Sequence, residues 1–488
     1  MFYSVEEGCR MRYLIGVDLG TSGTKTVLFD ENGTVIRTAH AEYPMNQPQN
    51  GYAEQNPEDW KNAVLKTVDA VMSGGEPISA IGLSGQMHGL VMLDRNGQVI
   101  RPAILWCDQR SERQCMELTG KVGKDNIISI TANPALTGFT ASKILWVKEH
   151  EPQNFDRCAH ILLPKDYVRY CMTGIFATDV SDASGTQLLD VPNRRWSGEM
   201  LDAIGISSDM LPKLFESTGI TGFYRGIPVV AGGGDNACAA VGSGTVRSGR
   251  AFTTIGTSGV VFAHTDTPVI DPHGRVHTFC CAVPGKWHVM GVTQAAGLSL
   301  KWFRENFAPT CSYGEIDRLA ASVPIGADGV RYLPYLMGER TPYLDPTVRG
   351  AFLGLSGFHK KEHLMRAVLE GVSYSLKDCL SVFNEMQIYP DSMALVGGGA
   401  KSDFWKQMLA DVFGMNLSVP DVSEGAAFGA AILGGVGVGL YDSVEAACDH
   451  MIGNKATCYA NPYAVQEYFG EYEIYRTLYD RVKNIGKR

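Results

Sequence analysis

The tetrapeptide Gly-Thr-Ser-Gly occurs twice, at 20–23 and at 256–259. Each copy lies between two apolar runs that read as strands: Tyr13–Leu19 and Lys25–Asp30 around the first, Arg250–Ile255 and Gly259–Phe262 around the second. One corner repeated in one strand–turn–strand setting marks an internal duplication and places a boundary just before Arg250. A chain of 488 residues is also too long for one simple core. We therefore expect a disordered lead-in over 1–12, which is polar and patternless, and α/β domains over 13–248 and 249–488.

Each corner suits a phosphate, because backbone N–H groups and hydroxyls of Gly20, Thr21 and Ser22, and of Gly256, Thr257 and Ser258, can surround one. Asp18, at the end of the first strand, is placed to hold the magnesium that accompanies phosphates. The spacing is not that of a P-loop, and either hairpin alone could be a structural turn. A third corner, Gly398-Gly399-Ala400, follows the strand-like run Ala394–Gly397 and offers bare backbone to a flat nucleoside; a tight crossover would use the same residues. A fourth, Gly232-Gly233-Gly234-Asp235-Asn236, joins a buried strand to a helix of small residues. Asp235 there is either a helix N-cap or a catalytic base. His88, between strand end and glycine, is either a satisfied structural residue or a ligand contact.

Two such hairpins, a nucleoside corner and an aspartate at a fourth corner predict two ribonuclease H-like, actin/hexokinase-type domains around an interdomain ATP cleft. Elsewhere, Asn56-Pro57 starts a helix with Trp60, Val64, Val68 and Val71 on its buried stripe. Ile78–Ser84 reads as a strand with Leu90–Leu93 as its return, Thr178–Ser184 as a polar loop, and a further helix starts near Thr293. Glu424–Ala431 reads as a helix of small residues, and Val465–Val482 as an amphipathic surface helix. His273, His277, Cys280 and Cys281 alternate along a hairpin, which favours strand faces over a metal site.

The net charge of −9 carries no nucleic-acid footprint, so no nucleic-acid partner is expected. Met1 to Arg12 holds no apolar run of signal-peptide length, the longest uncharged stretch, Gly425 to Tyr441, falls a little short of a membrane span, and the twelve cysteines form no Cys-x-x-Cys pair, which predicts a cytoplasmic, reduced protein without a membrane partner.

From Tyr13 onward the chain resembles the FGGY carbohydrate kinases. Gly138-x-Thr140-x2-Lys143-Ile144-x-Trp146 is similar to that family's first signature. Gly350-x-Phe352-x-Gly354-Leu355, followed by His363-Leu364-x2-Ala367-Val368-Leu369-Glu370, is similar to its second. Gly85-Gln86-Met87-His88-Gly89, Leu163-Pro164-Lys165-Asp166-Tyr167, Ala231–Ala237 and Gly338-Glu339-Arg340-Thr341-Pro342 resemble the members that act on D-xylulose. The resemblance implies D-xylulose bound by Met87, His88, Asp235 and Asn236, with Asp235 taking the proton of its terminal hydroxyl. It implies Asp18 orienting hydrated Mg²⁺, and ATP held by Gly20, Thr21, Ser22, Gly256, Thr257, Ser258, Gly398, Gly399 and Ala400. Domain closure would exclude water, and a homodimer is compatible with the family. The other readings are a kinase for ribulose, gluconate or glycerol, and a non-catalytic actin-like ATPase.

Overall fold

The computed structural model describes residues 11–421 and 425–485, so most of the expected lead-in lies outside the described residues. The chain divides into two compact units. The first holds Met1–Val246, Phe279–Trp287 and Glu424–Ile452; the second holds Arg247–Thr278, His288–Ser423 and Gly453–Arg488.

In the first unit β1 (Tyr13–Leu19), β2 (Gly23–Asp30), β3 (Val35–Glu42), β4 (Ile78–Gly85), β5 (Ile220–Tyr224) and β6 (Ile227–Val230) form one sheet, in the order β5-β6-β4-β1-β2-β3. β1 runs antiparallel to β2 and parallel to β4, which is parallel to β6. In the second unit β7 (Arg250–Ile255), β8 (Gly259–Thr265), β9 (Trp287–Thr293), β10 (Ser392–Gly397), β11 (Leu417–Pro420) and β12 (Asn454–Cys458) run in the order β9-β8-β7-β10-β11-β12. β7 is antiparallel to β8 and parallel to β10, which is parallel to β11. Each unit thus builds its sheet from a central hairpin, with parallel strands added on one side. The repeated tetrapeptide is the turn of that hairpin in both, which bears out the duplication. The outermost strand precedes its antiparallel partner in the first unit and follows it in the second.

The apolar periodicity forms the elements it predicts. The helix Pro57–Met72 is capped by Asn56, whose side chain accepts from the Glu58 N–H, and it buries Trp60, Val64, Val68 and Val71. With Pro at its first position and two acids in its first turn, this start satisfies N–H groups that would otherwise lack acceptors.

The boundary falls between Val246 and Arg247, two residues before the expected one, and the second half is not contiguous. The helix Gly425–Gly437 packs in the first unit, on β1, β4 and the helix Asp235–Gly242. Glycines make this possible: a Cβ at Gly16 would sit 1.8 Å from the Ala427 carbonyl oxygen, and one at Gly82 would sit 1.9 Å from that of Ala430. Gly16 and Gly82 are register partners on adjacent strands, so together they form a flat seam for the helix. Sequence separation conceals this exchange.

Three further expectations are corrected. Val91–Leu93 does not return along β4 but pairs with His160–Leu162. Thr178–Ser184 is not a solvated loop: it forms a short strand and a helical turn whose polar side chains are buried around Lys165. The tail divides into helices Pro462–Arg476 and Leu478–Val482, and Tyr468, Tyr472 and Tyr475 are buried in the second unit's core rather than lying on its surface. No disulfide forms among the described cysteines, and no described helix is long and apolar enough to cross a membrane.

Candidate active site

In the first unit the expected residues gather at one end of the sheet. Asp18 pairs in register with Ser84, and Ser84 with Gly233; Leu19, Gly85 and Gly234 form the next row. Asp235 directly follows Gly234 and opens the helix Asp235–Gly242, where unpaired N–H groups favour a negative charge. The Ser84 hydroxyl donates to Asp18 Oδ1 at 2.9 Å. The Asn236 backbone N–H (2.7 Å) and Nδ2 (3.0 Å) both donate to Asp235 Oδ1. Oδ2 of Asp235 accepts no hydrogen bond from the described residues. Burial, together with the negative charge of Asp18, pushes the Asp235 carboxyl up to about 7. This is the working range of a general base at neutral pH, and an N-cap would need neither the open oxygen nor that shift.

Met87 and His88 lie beside it. A Cβ on Gly234 would come within 2.8 Å of Met87 Cγ, and one on Gly185 within 2.2 Å of His88 Nδ1, so glycine is what admits both side chains. His88 has φ 68°, a left-handed conformation disfavoured for a residue with a Cβ. Its carbonyl oxygen accepts from Lys143 Nζ (2.8 Å) and Thr140 Oγ1 (3.0 Å). Its Nδ1 lies 2.8 Å from the Gly185 carbonyl oxygen, which can only accept, so Nδ1 carries a proton. Phe139 packs edge-on to the imidazole at a centroid distance of 4.7 Å.

The first glycine hairpin is held by a polar ring that sequence reasoning missed. Thr21 Oγ1 accepts from Trp106 Nε1 at 3.0 Å and lies 3.4 Å from Gln86 Oε1. Gln55 Nε2 donates to the Thr21 carbonyl at 2.6 Å, and the Tyr43 hydroxyl to that of Gly20 at 2.6 Å. The Thr21 hydroxyl is therefore committed to the protein, unlike the open donor expected of it. What this turn can offer an anion comes from backbone N–H groups and exposed Ser22.

Beneath Asp235 lies a charge cluster. Lys165 Nζ stands 2.6 Å from Asp166, 2.9 Å from Asp179 and 3.6 Å from Asp182, all fully buried. The three carboxylates have the spacing of a metal-ligand set, but the ammonium occupies their centre. Arg169 adds a second cation at Asp166. Three acids against two bases leave Asp182 raised well above the usual carboxylate range by burial, despite Lys165. The Ser181 hydroxyl, which bonds Asp179, also accepts from the Gly234 N–H at 3.3 Å and so ties the cluster to the Asp235 corner.

In the second unit, β7 and β10 are parallel neighbours, with Ile255 opposite Gly397. Gly256-Thr257-Ser258 and Gly398-Gly399-Ala400 therefore emerge side by side. A Cβ on Gly399 would meet that of Ile255 at 2.7 Å, so the corner needs its glycine. The helix expected near Thr293 begins at Gly297 instead, because residues 293–298 bond elsewhere. The Ala296 N–H donates to Thr257 O and that of Gly297 to Gly256 O, while Thr293 and Gln294 donate to the buried Glu339. The sequence signal for these supports was present in Gly138-x-Thr140-x2-Lys143 and Gly338-Glu339-Arg340-Thr341-Pro342, though not their roles.

Residues 13–242 match the N-terminal domain, and 251–438 the C-terminal domain, of the FGGY family of carbohydrate kinases. The chain is 42% identical to a xylulose kinase of Bacillus subtilis (strain 168), over 98% of both chains. A solved xyloylose kinase from Brucella ovis superposes with a TM-score of 0.91 at 36% identity, covering 96% of this chain and 99% of that one. A solved gluconate kinase from Lactobacillus acidophilus gives a TM-score of 0.93 at 26% identity, covering 98% and 99%. Both matched domains carry the glycine corners described above, and on that evidence the chain belongs to the FGGY family of carbohydrate kinases.

Proposed function

We propose that the protein transfers the γ-phosphoryl group of ATP to the terminal (5-) hydroxyl of D-xylulose, with Asp235 as general base. One observation carries this reading: Asp235 holds one oxygen in hydrogen bonds, leaves the other open, and keeps a proton affinity near neutrality. Oδ2 takes the hydroxyl proton as the sugar oxygen bonds to phosphorus and the bond to the ADP oxygen breaks. Asp235 then holds the proton as a neutral acid, the form its surroundings favour. Met87, His88 and Asn236 orient the sugar. Positioning and charge neutralisation supply the rest of the acceleration.

The residues at Asp18 suit a hydrated Mg²⁺. Asp18 and Asp235 are close enough for one charge to raise the other's proton affinity, a surplus that a hard cation relieves. Bound there with the nucleotide, the ion would offset charge on the phosphate oxygens. The Gly20–Ser22 and Gly256–Ser258 turns hold phosphates by the N–H groups of Thr21, Ser22, Thr257 and Ser258, those of Gly20 and Gly256 being used to close the turns on Gly23 and Ser258; Gly398, Gly399 and Ala400 lie against the nucleoside.

The charge pattern of the first unit supports an uncharged sugar over gluconate. An aldonate needs a cation, yet Lys165 is neutralised by its three aspartates and Arg110 by Asp108 and Glu54. Lys143 spends its ammonium on two carbonyls. The test is ADP release across D-xylulose, D-ribulose, glycerol, D-gluconate and no sugar. The highest kcat/KM should be with D-xylulose; a higher value with gluconate overturns the substrate, and sugar-independent release overturns the kinase reading in favour of an ATPase.

A further inference from the structure

Arg340 differs from the arginines that the fold holds in buried ion pairs. Arg101, Arg110, Arg169, Arg275 and Arg366 each pair with a carboxylate at 3.0 Å or less. The half-buried guanidinium of Arg340 makes no hydrogen bond and no ion pair with any described residue. Its nearest acid, Glu339, acts on it only through space and makes no bond to it. Glu339 Oε1 accepts from the backbone N–H groups of Gln294 (3.0 Å) and Arg340 itself (2.8 Å), and Oε2 from Thr293 Oγ1 (2.7 Å). Glu339 is also raised to about 7 by burial, so its charge is only partly present at neutral pH. Burial meanwhile disfavours the charged form of Arg340. A partly desolvated cation with no hydrogen-bonding anion is one that an anionic ligand would stabilise.

The backbone that carries it is fixed on both sides. The Thr341 N–H donates to Val292 O at 3.0 Å, and the Val292 N–H returns to Thr341 Oγ1 at 3.1 Å. The Leu344 N–H donates to Arg340 O. Through Glu339, Arg340 shares an oxygen with Gln294, and two residues further on Ala296 bonds to Thr257. Two residues of chain span about 7 Å at most. The backbone of Arg340 is therefore tied through Glu339 and Gln294 to the strand end that bonds the Gly256–Ser258 turn, within the same unit, and it carries a planar, five-donor group.

We infer that Arg340 binds the phosphate chain of the nucleotide, an assignment that rests on the kinase reading above. The unpaired fork and its rigid mount beside a turn suited to phosphate carry it. A guanidinium matches two phosphate oxygens at once, which a lysine cannot do.

The experiment is isothermal titration of the full chain with MgATP, adenosine and D-xylulose 5-phosphate, in wild type, Arg340→Met, Arg340→Gln and Arg340→Lys, with circular dichroism as the folding check. Loss of a charged hydrogen-bonding partner should weaken MgATP about 10- to 100-fold in the Met and Gln variants, with adenosine within about twofold of wild type and partial recovery in the Lys variant. MgATP affinity within twofold of wild type in a folded Met or Gln variant overturns the assignment. So does an equal loss for adenosine, which would mark a structural role, or a loss confined to the sugar phosphate, which would place the anion on the product. A wild-type chain that neither binds MgATP nor phosphorylates a sugar overturns the kinase reading as well, so the two failures are distinct.

Discussion

The ammonium of Lys143 donates a 2.8 Å hydrogen bond to the carbonyl oxygen of His88, which the backbone holds at φ 68°. A left-handed residue with a Cβ is disfavoured by about 1–2 kcal/mol. The lysine and Thr140 offset that by gripping the carbonyl the turn exposes. The grip is buried, and desolvation brings the Lys143 amine down to about 7.

Releasing this grip should disturb sugar binding more than chemistry. Lys143→Met is expected to raise the sugar KM by about tenfold with a smaller change in kcat, because His88 is mispositioned while Asp235 is untouched. Initial-rate kinetics check this, and an unchanged KM in a folded variant refutes the role. Thr140→Val should show a weaker form of the same split.

Asp235→Asn should lower turnover by about 10²–10⁴-fold while nucleotide still binds. Wild-type kcat/KM should fall as pH drops below about 7, since the base must be unprotonated, and that limb should vanish from the variant's residual rate. Turnover within tenfold of wild type removes Asp235 from the chemistry.

The same variant should be more stable. The folded carboxyl of Asp235 has its affinity for protons raised from 3.8 to about 7, so its ionised form opposes folding. The penalty is absent below the unfolded value, grows as pH rises and is complete above about 7. Partial solvent access limits it to on the order of 1–2 kcal/mol. Urea midpoints of wild type and Asp235→Asn should coincide near pH 4 and separate by pH 8, with the variant higher.

Lys165→Met should destabilise the fold by about 3–5 kcal/mol, because it leaves Asp166 and Asp179 buried with Arg169 as the one remaining cation. Asp182→Asn should lie within about 1 kcal/mol of wild type, since burial and the neighbouring aspartates already favour the neutral form of Asp182. Denaturant titration of the two variants separates a charge-balanced cluster from a metal site, in which loss of an aspartate would be the harmful change.

Gly16→Ala should cost about 3 kcal/mol or more, because the new methyl lands 1.8 Å from the Ala427 carbonyl oxygen and the helix cannot shift without leaving Gly82 as well. Thermal melts measure it; a Tm within a few degrees of wild type means the helix does not sit on this seam.

The hairpins and the Asp235 corner were legible because each is written locally, as an apolar run ending at glycine. The Arg-Thr-Pro loop was read only as a motif, since no spacing reveals that Glu339 will be filled by Thr293 and Gln294 and leave its neighbour unpaired. Thr178–Ser184 misled because its polarity resembles that of a loop; the lysine that makes its burial tolerable lies a helix away. The tail misled for a related reason: Tyr468, Tyr472 and Tyr475 carry hydroxyls that find partners inside, as Tyr472 does on Asp378 at 2.7 Å.

The glycine seam on β1 and β4 has a consequence for synthesis. The ribosome completes Gly16 and Gly82 long before it reaches the segment 425–437 that covers them, so the nascent first half carries a bare strip of strand backbone throughout elongation. Its final consolidation is post-translational, and a chain released early, near residue 246, would be a chaperone client and a substrate for proteolysis, not a freestanding domain.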